Sequence, residues 1–131
     1  MLRLDIVSPL GQVISGVQTE KVVAQSLNGQ ITILQGHRDM VCLLGRGIVF
    51  AEGVEDKFVV YGGILETSGG EKVCIVADRI TKISSIEEAN VRSSIKGIED
   101  KLNNNIIDDK EYKKTVEEYL DRVAELEAVL L

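Results

Sequence analysis

Eleven of the twelve glycines fall within the first 70 residues, at positions 11, 16, 29, 36, 45, 47, 53, 62, 63, 69 and 70, and they separate short apolar runs. Leu2, Leu4 and Ile6 alternate with Arg3 and Asp5. After the turn Pro9 to Gly11 come Gln12 to Ile14, Glu20 to Ala24, Gln30 to Leu34 and Val41 to Leu44. Ile48 to Ala51, Lys57 to Tyr61, Ile64 to Thr67, Lys72 to Ala77 and Ile80 to Ile83 complete the series. Period-two alternation suits a half-buried strand, and many short strands with glycine turns point to a sandwich or a barrel. No helical pattern interrupts them, which argues against a βαβ fold.

One stretch, Asn28 to Leu44, combines several of these signals. Asn28-Gly29 is a strong signal for a tight hairpin turn, because both residues tolerate positive φ. Ile31 and Ile33 then alternate with Gln30 and Thr32, Gly36-His37 marks a corner, and Val41 to Leu44 starts the next strand. The outer rim of this strand, corner and strand carries Gln30, His37, Arg38 and Met40.

The pattern changes at Ser84. Ser85-Ile86-Glu87-Glu88 has the form of a capping box, so a helix is expected to start there. Val91, Ile95, Ile98 and Leu102 follow as one apolar stripe, and Asn103-Asn104-Asn105 ends it. Asp108, with Glu111 three residues on, opens a second helix. Its seam is Tyr112, Val116, Tyr119, Val123, Leu126 and Leu130. Helices of about 17 and 22 residues would be roughly 25 and 33 Å long, and so short a loop makes them antiparallel. The domains expected are residues 1–84, all β, and 85–131, a two-helix hairpin.

Charge is distributed along the same division. Residues 1–84 hold 8 basic and 9 acidic side chains, whereas residues 85–131 hold 7 and 12. A net charge of −6 and only five aromatics exclude nucleic-acid binding as the expected role, and disfavour docking on anionic lipid. Apolar runs of four or five residues are far short of the ~20 that span a bilayer, so no direct membrane insertion is expected. With no leader at its start, the chain is expected to remain in the compartment where it is made.

Two cysteines, Cys42 and Cys74, and a single histidine fit neither a disulfide framework nor a zinc site, so no metal is expected. A Cys-His-Asp arrangement would pair either cysteine with His37, oriented by Asp39 or Asp78. Against it, no nucleophile elbow is present, and each cysteine lies in an apolar run where it packs as a small hydrophobe. The alternative for His37 is a corner residue hydrogen-bonded to a backbone carbonyl. Gly62-Gly63 and Gly69-Gly70 precede neither a helix nor Lys-Ser/Thr, so they read as structural bulge or turn glycines and not as phosphate cradles. The acidic run from Glu117 to Glu127 reads as a solvated helix face.

In order along the chain, Gly36-His37, Gly62-Gly63-Ile64-Leu65-Glu66, Ile75-Val76-Ala77-Asp78 and the two capped helices resemble the epsilon subunit of rotary F-type ATP synthases, called delta in mitochondria. The resemblance covers the whole chain. It implies an N-terminal all-β sandwich followed by a C-terminal antiparallel α-helical hairpin. It also implies a non-catalytic place at the foot of the central stalk, where the sandwich couples the gamma shaft to the c-ring in ion-driven ATP synthesis. The hairpin, folded down on the sandwich or extended toward the alpha/beta catalytic head, would regulate hydrolysis, a role its acidic second helix makes weak. Location would be peripheral, on the cytoplasmic face of the bacterial inner membrane.

Carried over by residue, Asn28, Gly29 and Gln30 match the family's ring-facing loop. Gly36 and His37, with Arg38 and Met40 beside them, match its Gly-His corner at the same end, as c-ring or gamma interface candidates. Some members bind ATP through Ile/Leu-Asp-x-x-Arg-Ala at the start of the first helix. Here Ile86-Glu87-Glu88-Ala89-Asn90-Val91 lacks the arginine, so Ile86, Glu87 and Asn90 mark a degenerate version and no cofactor is expected. From Asp109 onward only Lys110, Lys113, Lys114 and Arg122 stand against seven acids, a poor match to the basic inhibitory tails of the family. The alternative reading is a free-standing β-sandwich adaptor that dimerises through its helical hairpin.

Overall fold

The computed structural model describes residues 1–104 and 109–130. Eight strands come first: β1 (Leu2–Ser8), β2 (Gly11–Thr19), β3 (Lys21–Ser26), β4 (Gly29–Leu34), β5 (Met40–Ala51), β6 (Phe58–Ser68), β7 (Lys72–Ala77) and β8 (Ile80–Lys82). A 3-10 turn, Ile83–Ser85, precedes α1 (Glu88–Asn104) and α2 (Asp109–Val129). The chain divides into two compact units, Met1–Ser84 and Ser85–Leu131.

The strands run in the order β2-β1-β7-β6-β5-β3-β4, with β8 also on β6. Two long strands turn this path into a sandwich. The first half of β5 pairs with the second half of β6, Met40 to Leu44 against Thr67 to Gly63. The second half of β5 pairs with the first half of β6, Arg46 to Val49 against Tyr61 to Phe58. Strand β7 joins only the later part of β6, and β8 only the earlier part. Each long strand therefore serves both layers.

The sequence pattern suggests separate strands at Val41 to Leu44 and Ile48 to Ala51, and likewise at Lys57 to Tyr61 and Ile64 to Thr67; in the fold each pair is one strand. The intervening glycines act as bends inside a ladder, not as loops. Gly62 and Gly63 have φ of 113° and 145°. A Cβ on Gly63 would overlap the Val76 carbonyl oxygen of the neighbouring strand, so close approach of backbone requires glycine there.

Side chains from both layers meet in one core. Leu4, Ile6, Leu65, Val73 and Ile75 point inward from one layer, and Val22, Ala24, Ile33, Val49, Phe58 and Val60 from the other. Strands β1 and β7 form the sandwich's parallel pair, aligning Leu4 with Val73 and Ile6 with Ile75.

In the second unit, α1 buries Val91 and Ile98 and half-buries Ile95 and Leu102, the expected stripe. Its start differs from expectation. Ser85 closes the 3-10 turn, and the first helical hydrogen bond runs from Val91 N–H to the Glu87 carbonyl, so Glu87 is the cap residue. Asn90 Nδ2 donates to the Glu87 carboxylate at 2.8 Å, which ties this first turn together. Asp108, taken as the start of the second helix, and Asn105, in the first helix's stop signal, lie outside the described residues. Lys101 bridges Glu111 at 3.1 Å and Tyr119 Oη donates to Glu99 at 3.3 Å, pairings that require α1 and α2 to run antiparallel. Nor is the acidic run of α2 a single solvated face, since Asp121 and Glu125 are buried.

Candidate functional site

The β3–β4 hairpin is present, but its turn is one residue earlier than the Asn-Gly signal suggests. Ser26 pairs with Gly29, leaving Leu27 and Asn28 as the two loop residues. Positive φ falls on Gly29 alone, at 126°. Ser26 holds the loop: its Oγ accepts from Asn28 N–H at 3.1 Å and donates to the Gly29 carbonyl at 2.7 Å. Gln30 follows, exposed on the edge strand β4.

Gly36, His37, Arg38 and Met40 lie at the other end of β4. Along β4, six residues of strand, roughly 20 Å, separate Gly36 and His37 from the Asn28 turn, so the expectation that both sit at the same end does not hold for them. The physical reason is simple: a hairpin turn opens β4 and the corner closes it.

The corner is clamped to the β6–β7 turn. Gly36 N–H donates to the Gly70 carbonyl at 2.7 Å, and Gly69 N–H to Asp39 Oδ1 at 2.8 Å. Thr67 is central, donating its hydroxyl to the Arg38 carbonyl at 2.8 Å while accepting from Met40 N–H at 3.0 Å. A ring nitrogen of His37, Nδ1, lies 2.7 Å from the same Arg38 carbonyl, which requires it to be the protonated donor. At the chain start, the Met1 amine donates to Gln35 Oε1 at 2.9 Å. The corner is thus a rigid, polar rim, with Arg38 exposed upon it.

A second surface escaped the sequence reading. The register sets Leu43 beside Ile64 and Ile64 beside Val76, across three neighbouring strands, with half-buried Val7 next in line. All three point away from the core. Leu43 is 57% exposed, Ile64 43% and Val76 49%; Val41 at 67% and Leu27 at 66% flank the row. Leu27 N–H donates to the Leu43 carbonyl, tying the Asn28 turn to this face. A signal existed: runs such as VCLL and VCIVA are apolar at every position, as in strands covered on both faces, whereas a solvated face alternates. Contiguous exposed apolar side chains mark a surface that another molecule covers.

Chemistry finds little support. Cys42 packs against the core, and burial raises its thiol pKa. Cys74 is raised by burial first, then by the Asp5 and Glu66 charges. Both cysteines therefore stay protonated and weakly nucleophilic near neutral pH. Asp39 is engaged with Gly69, and the His37 Nδ1 proton with a carbonyl. In the segment Ile86 to Val91, Asn90 is tied to Glu87, and Ile86 is half-buried before α1.

Residues 1–83 match the family model described as the ATP synthase delta/epsilon chain, beta-sandwich domain. The chain belongs to that family. An ATP synthase epsilon chain from a Bradyrhizobium species is 32% identical over 132 residues, spanning 93% of this chain and 96% of the relative. The epsilon chain of Aquifex aeolicus is 33% identical over 92 residues, 69% of this chain and 67% of that one. Among solved structures, a chain of the Euglena gracilis mitochondrial ATP synthase, in an OSCP/F1/c-ring assembly, superposes with a TM-score of 0.85. That match covers 99% of this chain and 81% of the other at 19% identity. A chain of the Tetrahymena thermophila central stalk and c-ring gives 0.64 at 9% identity, covering 98% and 96%. Delta/epsilon architecture, sandwich then hairpin, therefore extends over the described residues. No helix among them is long and apolar enough to cross a membrane.

Proposed function

We propose that this delta/epsilon chain is the epsilon subunit of an F-type ATP synthase, a non-catalytic coupling piece of the central stalk between the gamma shaft and the c-ring. The observation that carries the reading is the uncovered row Leu43, Ile64 and Val76 on a sandwich whose family is found in that assembly. A stiff body transmitting torque needs a fixed attachment, and a flat apolar face on a hydrogen-bonded sheet is one. In this reading the gamma shaft covers the row. The Asn28-Gly29-Gln30 turn, which opens β4, and the Gly36 to Met40 corner, which follows it, meet different neighbours: the turn faces the ring, and the corner meets gamma. The subunit is peripheral, on the cytoplasmic face of a bacterial inner membrane. The hairpin restrains ATP hydrolysis weakly, since its acidic α2 opposes insertion beside other acidic segments.

The test is affinity purification of tagged chain from detergent-solubilised membranes. Wild type should bring down gamma with alpha and beta, and Leu43→Asp should lose them while remaining folded. Recovery of a homodimer without gamma would favour the adaptor reading instead. In the same preparations, a chain ending at Ser84 should change ATPase activity little; strong activation would show the hairpin to be a major inhibitor.

A further inference from the structure

Of the five asparagines, only Asn28 precedes a glycine, and it occupies the exposed tip of the β3–β4 hairpin. We propose that Asn28 is a site of spontaneous deamidation, a slow chemical change that adds one negative charge to this tip. The Gly29 backbone nitrogen attacks the Asn28 side-chain carbonyl carbon. A C–N bond closes a five-membered succinimide, the bond to the side-chain nitrogen breaks, and ammonia leaves with the displaced proton. Water then opens the ring at either carbonyl, giving aspartate or isoaspartate.

Three observations favour this reaction at Asn28. Gly29 carries no Cβ to hinder ring closure, and open space surrounds the position where one would stand. No hydrogen bond is found for the Asn28 side chain among the described residues, so its amide can rotate toward the Gly29 nitrogen. Ser26 and Gly29 form the terminal rung of the β3–β4 ladder, next to the edge of the sheet, so freeing the Gly29 amide opens that rung and the Ser26 hydroxyl's bond to the Gly29 carbonyl, and leaves the core intact. Asn103 and Asn104 precede asparagine and Asn90 precedes valine, whose side chains crowd the same attack.

The effect on assembly rests on the proposed function, in which this turn faces the ring; the chemistry does not. The full chain is held for days at physiological temperature and mildly alkaline pH, then digested and mapped by mass spectrometry. The expected result is a gain equal to oxygen replacing NH on the peptide containing Asn28, split into two isomeric products. The rate should rise with pH, and Asn28→Gln should be several-fold slower because its ring would have six members. If the Asn28 peptide stays unchanged while a short free peptide of the same local sequence converts completely, the folded hairpin protects the site and the proposal fails. Purified complexes carrying Asn28→Asp read the consequence separately: altered retention of the ring beside unaltered retention of gamma supports a ring-facing role for the added charge. Unaltered retention of both would remove that role and leave the mapped reaction standing.

Discussion

The sandwich and the hairpin use similar apolar content with opposite results. In the sandwich, two layers close over each other, and Leu2, Leu4, Ile6, Val22, Ile33, Phe58, Leu65 and Ile75 each fall below 2% exposure. In the hairpin, Val91, Ile98 and Ala128 are the buried apolar residues among those described, and Thr115, Asp121 and Glu125 are buried as well. Period-two alternation gives every strand a whole face to bury, whereas a narrow helical stripe offers a partner only one edge. Packing therefore governs the first unit, and helix propensity with surface pairing governs the second.

The largest effect should follow from cavity formation in the sandwich. Leu65→Ala, at a fully buried position, should cost about 2–5 kcal/mol. The half-buried Ile95→Ala in α1 should cost only about 1 kcal/mol, since less apolar surface returns to water. Urea unfolding of the full chain, followed by separate probes in the two units, measures both. Equal losses would mean that the hairpin is packed as a core in its own right.

A single type of substitution should then change sign between the units. Gly63→Ala forces a Cβ into the Val76 carbonyl at a φ of 145° and should destabilise the sandwich by about 1–3 kcal/mol or more. Gly97 lies inside α1 with open space where its Cβ would stand. Gly97→Ala should therefore stabilise the helix by about 0.5–1 kcal/mol, because alanine loses less backbone entropy. Thermal melts monitored by strand and helix signals would show one transition falling and the other rising. Two losses would place an unseen constraint on α1.

Much of this comparison was legible in the sequence. Alternation at Leu2, Leu4 and Ile6 and the run Lys72 to Ala77 correspond to β1 and β7, and Val91, Ile95, Ile98 and Leu102 to the stripe of α1. What failed was local punctuation. A glycine has the same identity in a turn and in a bend, so the interiors of β5 and β6 read as breaks; only the neighbouring strand, brought there by tertiary pairing, distinguishes them. Asn28-Gly29 announced a hairpin correctly, yet the ladder to Ser26 set its register and moved the loop to Leu27-Asn28. The row Leu43, Ile64 and Val76 escaped for a related reason: all three lie in apolar runs, and a run does not say which alternate residues the fold leaves uncovered. His37 was legible as a corner residue bonded to a carbonyl, but its distance from the Asn28 turn required counting β4 as a strand between two different ends of the sandwich.

The smallest effect concerns what holds the two helices in line. Lys101 and Glu111 approach to 3.1 Å with side chains 44% and 48% exposed, so water and salt screen most of their attraction. Lys101→Ala should cost only about 0.2–0.5 kcal/mol, a loss that disappears at high ionic strength. Yet in a unit with so few buried apolar residues, such pairs make up a larger share of the total than any surface pair does in the sandwich. The comparison pair is Lys82 with Asp56, at 3.5 Å on the first unit. Removing either lysine should give a similar free-energy change, but only Lys101→Ala should increase hydrogen exchange in α1 and α2 measurably, because the hairpin has fewer buried apolar residues to draw on. Salt-insensitive exchange in the Lys101→Ala variant would indicate that apolar contact alone keeps the helices together, and would narrow the difference between the two units.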